Sequence, residues 1–170
     1  PRIEVRSKRV GGANYQVLHH FAGAPFDGSS PYADLFRAMN GLLYGTCRDG
    51  GAYGDGIIFR LADDGTGFEV LHHFNNGRRE GRYPQTRLLP AGNEGLYGVT
   101  SSGGLTNGTL FRIGLAGEHF VVLHHFGSLG SDGLEPSGLN LTQDGSLVGT
   151  TRLGGLWNRG SVFRVLPLLI

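Results

Sequence analysis

The residues with chemical capacity recur in sets. Histidines come in adjacent pairs at His19-His20, His72-His73 and His124-His125. Acidic residues precede glycine at Asp27, Glu80 and Asp132, and arginines follow phenylalanine at Arg60, Arg112 and Arg164. Paired imidazoles could ligate zinc. Neighbouring residues of an extended chain point to opposite faces, however, so the pairs read as structural groups hydrogen-bonded between packed units. A carboxylate beside glycine ordinarily closes its own turn. Calcium would want a denser run of oxygen ligands than these turns hold. The three arginines read as partners for Asp27, Glu80 or Asp132. No Gly-x-Ser-x-Gly elbow, phosphate loop, His-Glu-x-x-His or Cys-x-x-Cys is present. No catalytic residues, metal ligands or cofactor are therefore assigned.

These sets belong to a threefold repeat. Leu-His-His-Phe occurs at 18–21, 71–74 and 123–126, in steps of 53 and 52 residues. Leu43-Tyr44-Gly45-Thr46 is echoed by Leu96-Tyr97-Gly98-Val99 and Leu147-Val148-Gly149-Thr150. Double glycines follow at 50–51, 103–104 and 154–155, then Gly-x-x-Phe-Arg ending at Arg60, Arg112 and Arg164. Each acidic-glycine pair lies six residues after a Leu-His-His-Phe phenylalanine and precedes Pro31, Pro84 or Pro136. Five markers in register over three copies define the organisation. The units run over about 22–74, 75–126 and 127–165, with the segment 15–21 ahead of them and a basic arm or edge strand at 1–14.

Composition bounds the class. The chain has 170 residues, 31 of them glycine, with 39% hydrophobic residues, 17% charged and a net charge of +1. The glycines lack the collagen period, and near-neutrality argues against disorder driven by charge repulsion. No apolar run approaches the roughly 18 residues of a membrane-spanning helix. Neutral balance also leaves no broad electrostatic footprint for nucleic acid. The local excess of Arg2, Arg6, Lys8 and Arg9 reads as a solvated arm.

Each unit holds four short apolar or β-branched runs between turn signals, and helical periodicity is absent. The first is expected near 32–38, 85–90 and 137–142, and the second near 42–47, 95–100 and 146–151. The third is expected near 56–61, 108–113 and 160–165, and the fourth near 15–21, 68–74 and 119–126. Four strands in some fifty residues, repeated, predict an all-β fold of β-propeller blades. Gly45, Gly98 and Gly149 then sit in the second strand, where a side chain would meet neighbouring backbone. The double glycines supply positive φ to the following turn. Cys47, the single cysteine, occupies a threonine-like strand position and reads as structural. A β-trefoil, also three units of four strands, is the alternative fold.

The phase matters. The chain opens on a fourth strand and closes on a unit lacking one. Propellers ordinarily take about four to eight blades. Two chains end to end would make six, each chain's 15–21 strand completing the last blade of the other. A longer parent chain is the competing explanation.

The combination Gly-x-Leu-Tyr-Gly-Thr, Gly-Gly, Gly-x-x-Phe-Arg, Leu-His-x-Phe and Asp-Gly-x-x-Pro resembles the GloVer, or Gloeo-Verruco, tandem repeats, from about Gly11 to Val165. The resemblance implies a bacterial protein, secreted or at the cell surface, with propeller-like repeats; it implies no activity. The chain departs from the pattern in holding three units and no anchoring segment, Leu166–Ile170 being too short for one.

The expectation is a non-catalytic module for binding or assembly, acting as a homodimer or in a larger assembly, with no membrane span. A surface glycan would meet Asp27, Glu80 and Asp132 in the turns and stack on Tyr32, Tyr53, Tyr83 or Trp157. The alternatives are a structural subunit of an extracellular or multi-protein assembly, and a polysaccharide-acting enzyme on a propeller.

Overall fold

The computed structural model describes residues 15–166. The basic arm expected at 1–14 lies outside them. The strands are β1 (Gly28–Ser29), β2 (Phe36–Arg37), β3 (Leu43–Cys47), β4 (Asp49–Gly50), β5 (Ile57–Leu61), β6 (Glu69–His73), β7 (Arg82–Pro84), β8 (Leu89–Pro90), β9 (Gly95–Ser102), β10 (Thr109–Gly114), β11 (Val121–His125), β12 (Gly133–Leu141), β13 (Leu147–Gly154) and β14 (Ser161–Val165). The one helical element among the described residues is a 3-10 turn, Asn76–Arg78.

Each unit forms its own antiparallel sheet. The first runs β2-β3-β5-β6, the second β7-β9-β10-β11 with β8 also on β9, and the third β12-β13-β14. A short β1-β4 pair accompanies the first. Every ladder among the described residues stays within one unit, as blades require. The trefoil alternative would join strands of neighbouring units into a barrel, and that pairing is not formed among the described residues.

The segment 15–21, expected as a strand, is not one. A strand exists only with a ladder partner to satisfy its amides, and 15–21 has none among the described residues. The third sheet holds three strands among the described residues, as the phase of the repeat predicts. The first strand of each unit also starts earlier than expected. It begins at the acidic-glycine turn, where Gly28 faces Gly50, Arg82 faces Ser102 and Gly133 faces Gly154.

The second-strand glycines have a different cause from the one expected. Gly45, Gly98 and Gly149 stand directly across the ladder from Phe59, Phe111 and Phe163. The phenylalanine ring lies over the glycine, so that a Cβ on Gly45 would come 2.5 Å from Phe59 Cζ. Only at Gly149 does a main-chain atom, Gly138 O, also crowd that position. The double glycines do take positive φ, as at Gly103 (75°) and Gly104 (76°).

The core lies between sheets. Tyr44, Ile58 and Phe74 of the first unit pack on Leu88, Leu96, Phe111 and Ile113 of the second. Tyr97, Val99, Leu110 and Phe126 of the second pack on Leu147 of the third, with Leu139, Leu141 and Phe163 beside it. A third cluster, Cys47, Ile57, Phe59 and Leu61, is covered by Leu18 and Phe21 from the segment ahead of the first unit.

Candidate functional site

The repeated polar residues meet at the junctions between units. At each, the first histidine of Leu-His-His-Phe reaches the acidic turn that opens the next unit. His19 Nε2 lies 3.0 Å from Asp27 Oδ2, His72 Nε2 3.2 Å from Glu80 Oε2 and His124 Nε2 2.9 Å from Asp132 Oδ2. The same carboxylates accept main-chain N–H bonds from Ala22 (2.9 Å), Asn75 (3.2 Å) and Gly127 (2.9 Å), the residues just after each motif. Asp27 and Asp132 also accept from the following glycine, at 2.6 and 2.9 Å. Each carboxylate thus closes a turn and holds a histidine.

Burial sets their charge states. It pushes the His72 imidazole down to about 4, with His73 and Arg78 adding repulsion. A neutral ring protonated at Nε2 then donates to Glu80. Burial pushes the Glu80 carboxyl above its usual range, against the Asn75 hydrogen bond and the Arg78 charge. At Asp27 burial pushes up as well, but hydrogen bonds from Ala22, His19 and Gly28 outweigh it and hold the carboxyl below its usual range.

Stacking completes the junction. His19 lies on Phe68 at 3.6 Å between centroids and 5° from parallel, and His72 lies on Phe120 at 4.1 Å and 5°. The motif phenylalanine then inserts edge-on against the third-strand phenylalanine of the next unit. The centroid distances are 5.2 Å for Phe21–Phe59, 5.3 Å for Phe74–Phe111 and 4.9 Å for Phe126–Phe163. Segment 15–21 therefore sits on the first unit as a fourth strand of a preceding unit would, with no ladder of its own among the described residues.

The second histidines point elsewhere. His73 Nδ1 accepts from Ala52 N–H at 3.1 Å, and His125 Nδ1 accepts from Leu105 N–H at 3.3 Å. Each caps the loop after its own unit's double glycine. Backbone bonds also cross between units: Tyr83 N–H donates to Asp55 O at 2.9 Å and Glu135 N–H to Asn107 O at 3.0 Å. Ser30, Tyr83 and Glu135 all hold φ between 56° and 62° at this position, a region that non-glycine residues rarely enter.

The arginines do not pair with the acidic turns. Arg60 binds Glu69 Oε2 through Nε (2.9 Å) and Nη2 (2.7 Å) and donates to Leu115 O at 3.0 Å. Arg164 binds Asp144 and Ser146. Arg60 and Arg164 take acidic partners from their own units, whereas the turn carboxylates face the preceding unit's histidine. Cys47 is fully buried opposite Ile57. Its counterparts Thr100 and Thr151 bond across the ladder to Thr109 and Ser161, each at 2.8 Å.

Of the ring-bearing candidates, Tyr32, Tyr53 and Trp157 are exposed. Tyr83 is covered on its ring by Arg48 at 4.4 Å and Arg82 at 5.0 Å. Tyr32 lines a shallow cavity of about 280 Å³ with Asp34, Gln85, Arg87 and Ser137, to which all three units contribute. Asp27, Glu80 and Asp132 do not line it. Sequence reasoning missed the stacking aromatics. Their signal was present, since Tyr15, Phe68 and Phe120 each stand three residues before the motif leucine. Among the described residues no helix is long and apolar enough to cross a membrane.

Comparisons agree with this architecture. The chain superposes on a chain of a nidogen/laminin complex with a TM-score of 0.54 at 16% identity, covering 79% of this chain and 43% of that one. It superposes on a putative gluconolactonase with a TM-score of 0.53 at 14% identity, covering 79% and 45%. Both are propeller-like, and the chain spans less than half the length of each. No curated protein matches the sequence. The Gloeobacter/Verrucomicrobia repeat profile matches residues 7–168. With that span and its repeated junctions, the chain belongs to the Gloeobacter/Verrucomicrobia repeat family.

Proposed function

We propose that the chain is a non-catalytic assembly module, a half-ring of three blades whose open faces close on those of a second copy. One observation carries the reading. The contacts joining the first unit to the second recur between the second and third; the matching half on the third unit stands open, and on the first unit the segment 15–21 occupies the place of a preceding unit's fourth strand. Val162 is 82% exposed, whereas its counterparts Ile58 and Leu110 are fully buried against the next unit. Val162 borders an apolar hollow with Leu139, Val148 and Gly149. On the first unit, Ser30 is exposed where Tyr83 and Glu135 bond to the preceding unit. An apolar face shaped like two buried ones has a strong drive to be covered. Coverage of 43% and 45% of two propeller-like chains is what a half-ring would give.

Light scattering on a sizing column tests this. The expected mass is twice 18.2 kDa. A monomer across the micromolar range overturns the reading. A second reading, recognition of a surface glycan, is favoured by Tyr53 and Trp157, rings exposed in corresponding loops of the first and third units. If it is right, Tyr53→Ala with Trp157→Ala abolishes binding on a glycan array; binding that survives both changes overturns it.

A further inference from the structure

We infer that β14 is a strand acceptor that takes residues 15–20 of a second copy, in a register and with side-chain contacts set by the repeat. The inference rests on the half-ring reading and names the contact that would close it.

The donor is already held in place. Leu18 and Phe21 pack on the cluster of Cys47, Ile57, Phe59 and Leu61 of the first unit, and His19 is fixed between Phe68 and Asp27. This is the geometry of β6 on the second unit, except that β6 is laddered to β5 while 15–20 is laddered to nothing among the described residues. Its outer residues, Tyr15, Gln16, Val17 and His20, are exposed.

The acceptor lacks what the donor carries. In the second unit Thr109 pairs with His125, Leu110 with His124, Phe111 with Val122 and Arg112 with Val121, across a bulge between Leu110 and Phe111. The first unit shows the same pattern, from Ile57 with His73 to Arg60 with Glu69. Transposed to the third unit, Ser161 pairs with the incoming His20, Val162 with His19, Phe163 with Val17 and Arg164 with Gln16. Among the described residues β14 is the edge of its sheet, and an edge strand presents the amides and carbonyls that this pairing uses.

Two side-chain contacts make the acceptor selective. The loop after Gly154-Gly155 has no histidine of its own, although Gly51 and Gly104 each lie against one, with a Cβ there 2.9 Å from His73 Nδ1 or His125 Nδ1. The incoming His20 takes that place, and its Nδ1 accepts from Leu156 N–H. His124 holds Asp132 but, unlike His19 and His72, stacks on no aromatic of the next unit among the described residues. The incoming Tyr15, standing where Phe68 and Phe120 stand, supplies that ring. A third contact is main-chain: the incoming Ser30 N–H meets Arg159 O, as Tyr83 meets Asp55 and Glu135 meets Asn107.

The experiment pairs Gln16→Cys with Arg164→Cys, both exposed positions, and oxidises the native protein. Directly opposed strand residues have Cβ atoms about 4.5–5.5 Å apart, close enough for a disulfide after slight adjustment. The expected result is a covalent dimer on non-reducing gels. A pair shifted by one residue, Gln16→Cys with Val165→Cys, gives at least tenfold less. In parallel, Tyr15→Ala and His20→Ala each raise the dimer dissociation constant tenfold or more, without altering the folded circular-dichroism spectrum. A synthetic peptide of residues 15–22 competes for the acceptor. A dimer that is indifferent to both alanine changes and does not cross-link overturns the strand inference and leaves the ring reading standing. A monomer that still binds the peptide overturns the ring and keeps β14 as a strand acceptor. A monomer that ignores the peptide overturns both.

Discussion

His72 lies flat on Phe120, ring centroids 4.1 Å apart and 5° from parallel, while its Nε2 sits 3.2 Å from the Glu80 carboxylate. One imidazole thus joins the fourth strand of one unit to the fourth strand and the opening turn of the next. A stacked aromatic pair contributes about 0.5–1.5 kcal/mol beyond its area burial. A double-mutant cycle on His72→Ala and Phe120→Ala should therefore return a coupling of about 1 kcal/mol in urea unfolding. Phe74→Ala, which empties a fully buried site at the same junction, should cost about 3–5 kcal/mol. Additive effects of the first two changes would show the stack to be incidental.

Acid should loosen the junctions. Burial lowers the His72 pKa from 6.5 to about 4, so the folded chain binds that proton less readily than the unfolded one. Stability is then fully present above about pH 6.5 and is lost as pH falls towards 4. His73 and His125 shift the same way through burial. Glu80 shifts up through burial and so offsets part of the loss by taking its proton early. The urea midpoint at pH 5 should fall below that at pH 7, and His72→Gln should flatten the difference. Equal midpoints for the parent protein would contradict the burial argument.

Gly45 and Phe59 are coupled by shape. A Cβ at residue 45 would meet Phe59 Cζ at 2.5 Å and Leu35 Cδ2 at 2.7 Å. Overpacking of this kind costs about 1–3 kcal/mol. Gly45→Ala should show that loss in thermal or urea melts. Phe59→Leu should restore part of it, because the shorter side chain no longer crosses the glycine. An unchanged melt for Gly45→Ala would mean that the ring moves aside freely.

Cys47 stands where threonine stands in the other units, and its ladder partner explains the exchange. Thr100 and Thr151 each find a hydroxyl across the strand, but Cys47 faces Ile57. Cys47→Thr should cost about 1–3 kcal/mol through an unmet buried hydroxyl, and Ile57→Thr in the same chain should recover much of it. Burial pushes the thiol pKa up to about 12. The folded protein should therefore resist thiol reagents at pH 8 and react only on unfolding. Prompt labelling of the native state would contradict that burial.

Much of the fold was legible because identical local patterns recur in register. Leu-His-His-Phe, the double glycines and Gly-x-x-Phe-Arg marked the strands and turns of each unit. The all-β, propeller-like architecture followed from their spacing. The candidate site was legible only in part. The repeat announced that Asp27, Glu80, Asp132 and the histidines mattered, but the arginines were assigned to the wrong carboxylates.

The amino-acid sequence alone determined the unit length, the turn positions, the all-β class and the family, since these depend on residue type and short-range spacing. Tertiary structure decided which groups meet. Local pattern tells that Arg60 and Phe59 face opposite ways on one strand. It does not tell that Glu69 lies beside Arg60, that Phe120 comes from the next unit to cover His72, or that a phenylalanine rather than backbone crowds Gly45. Those contacts are set by how one twisted sheet stacks on the next, a long-range packing that the sequence specifies only as a whole. The same packing decided that residues 15–21, though identical in type to β6 and β11 at Val-Leu-His-His-Phe, form no strand: the ladder partner, not the local sequence, makes an extended segment a strand.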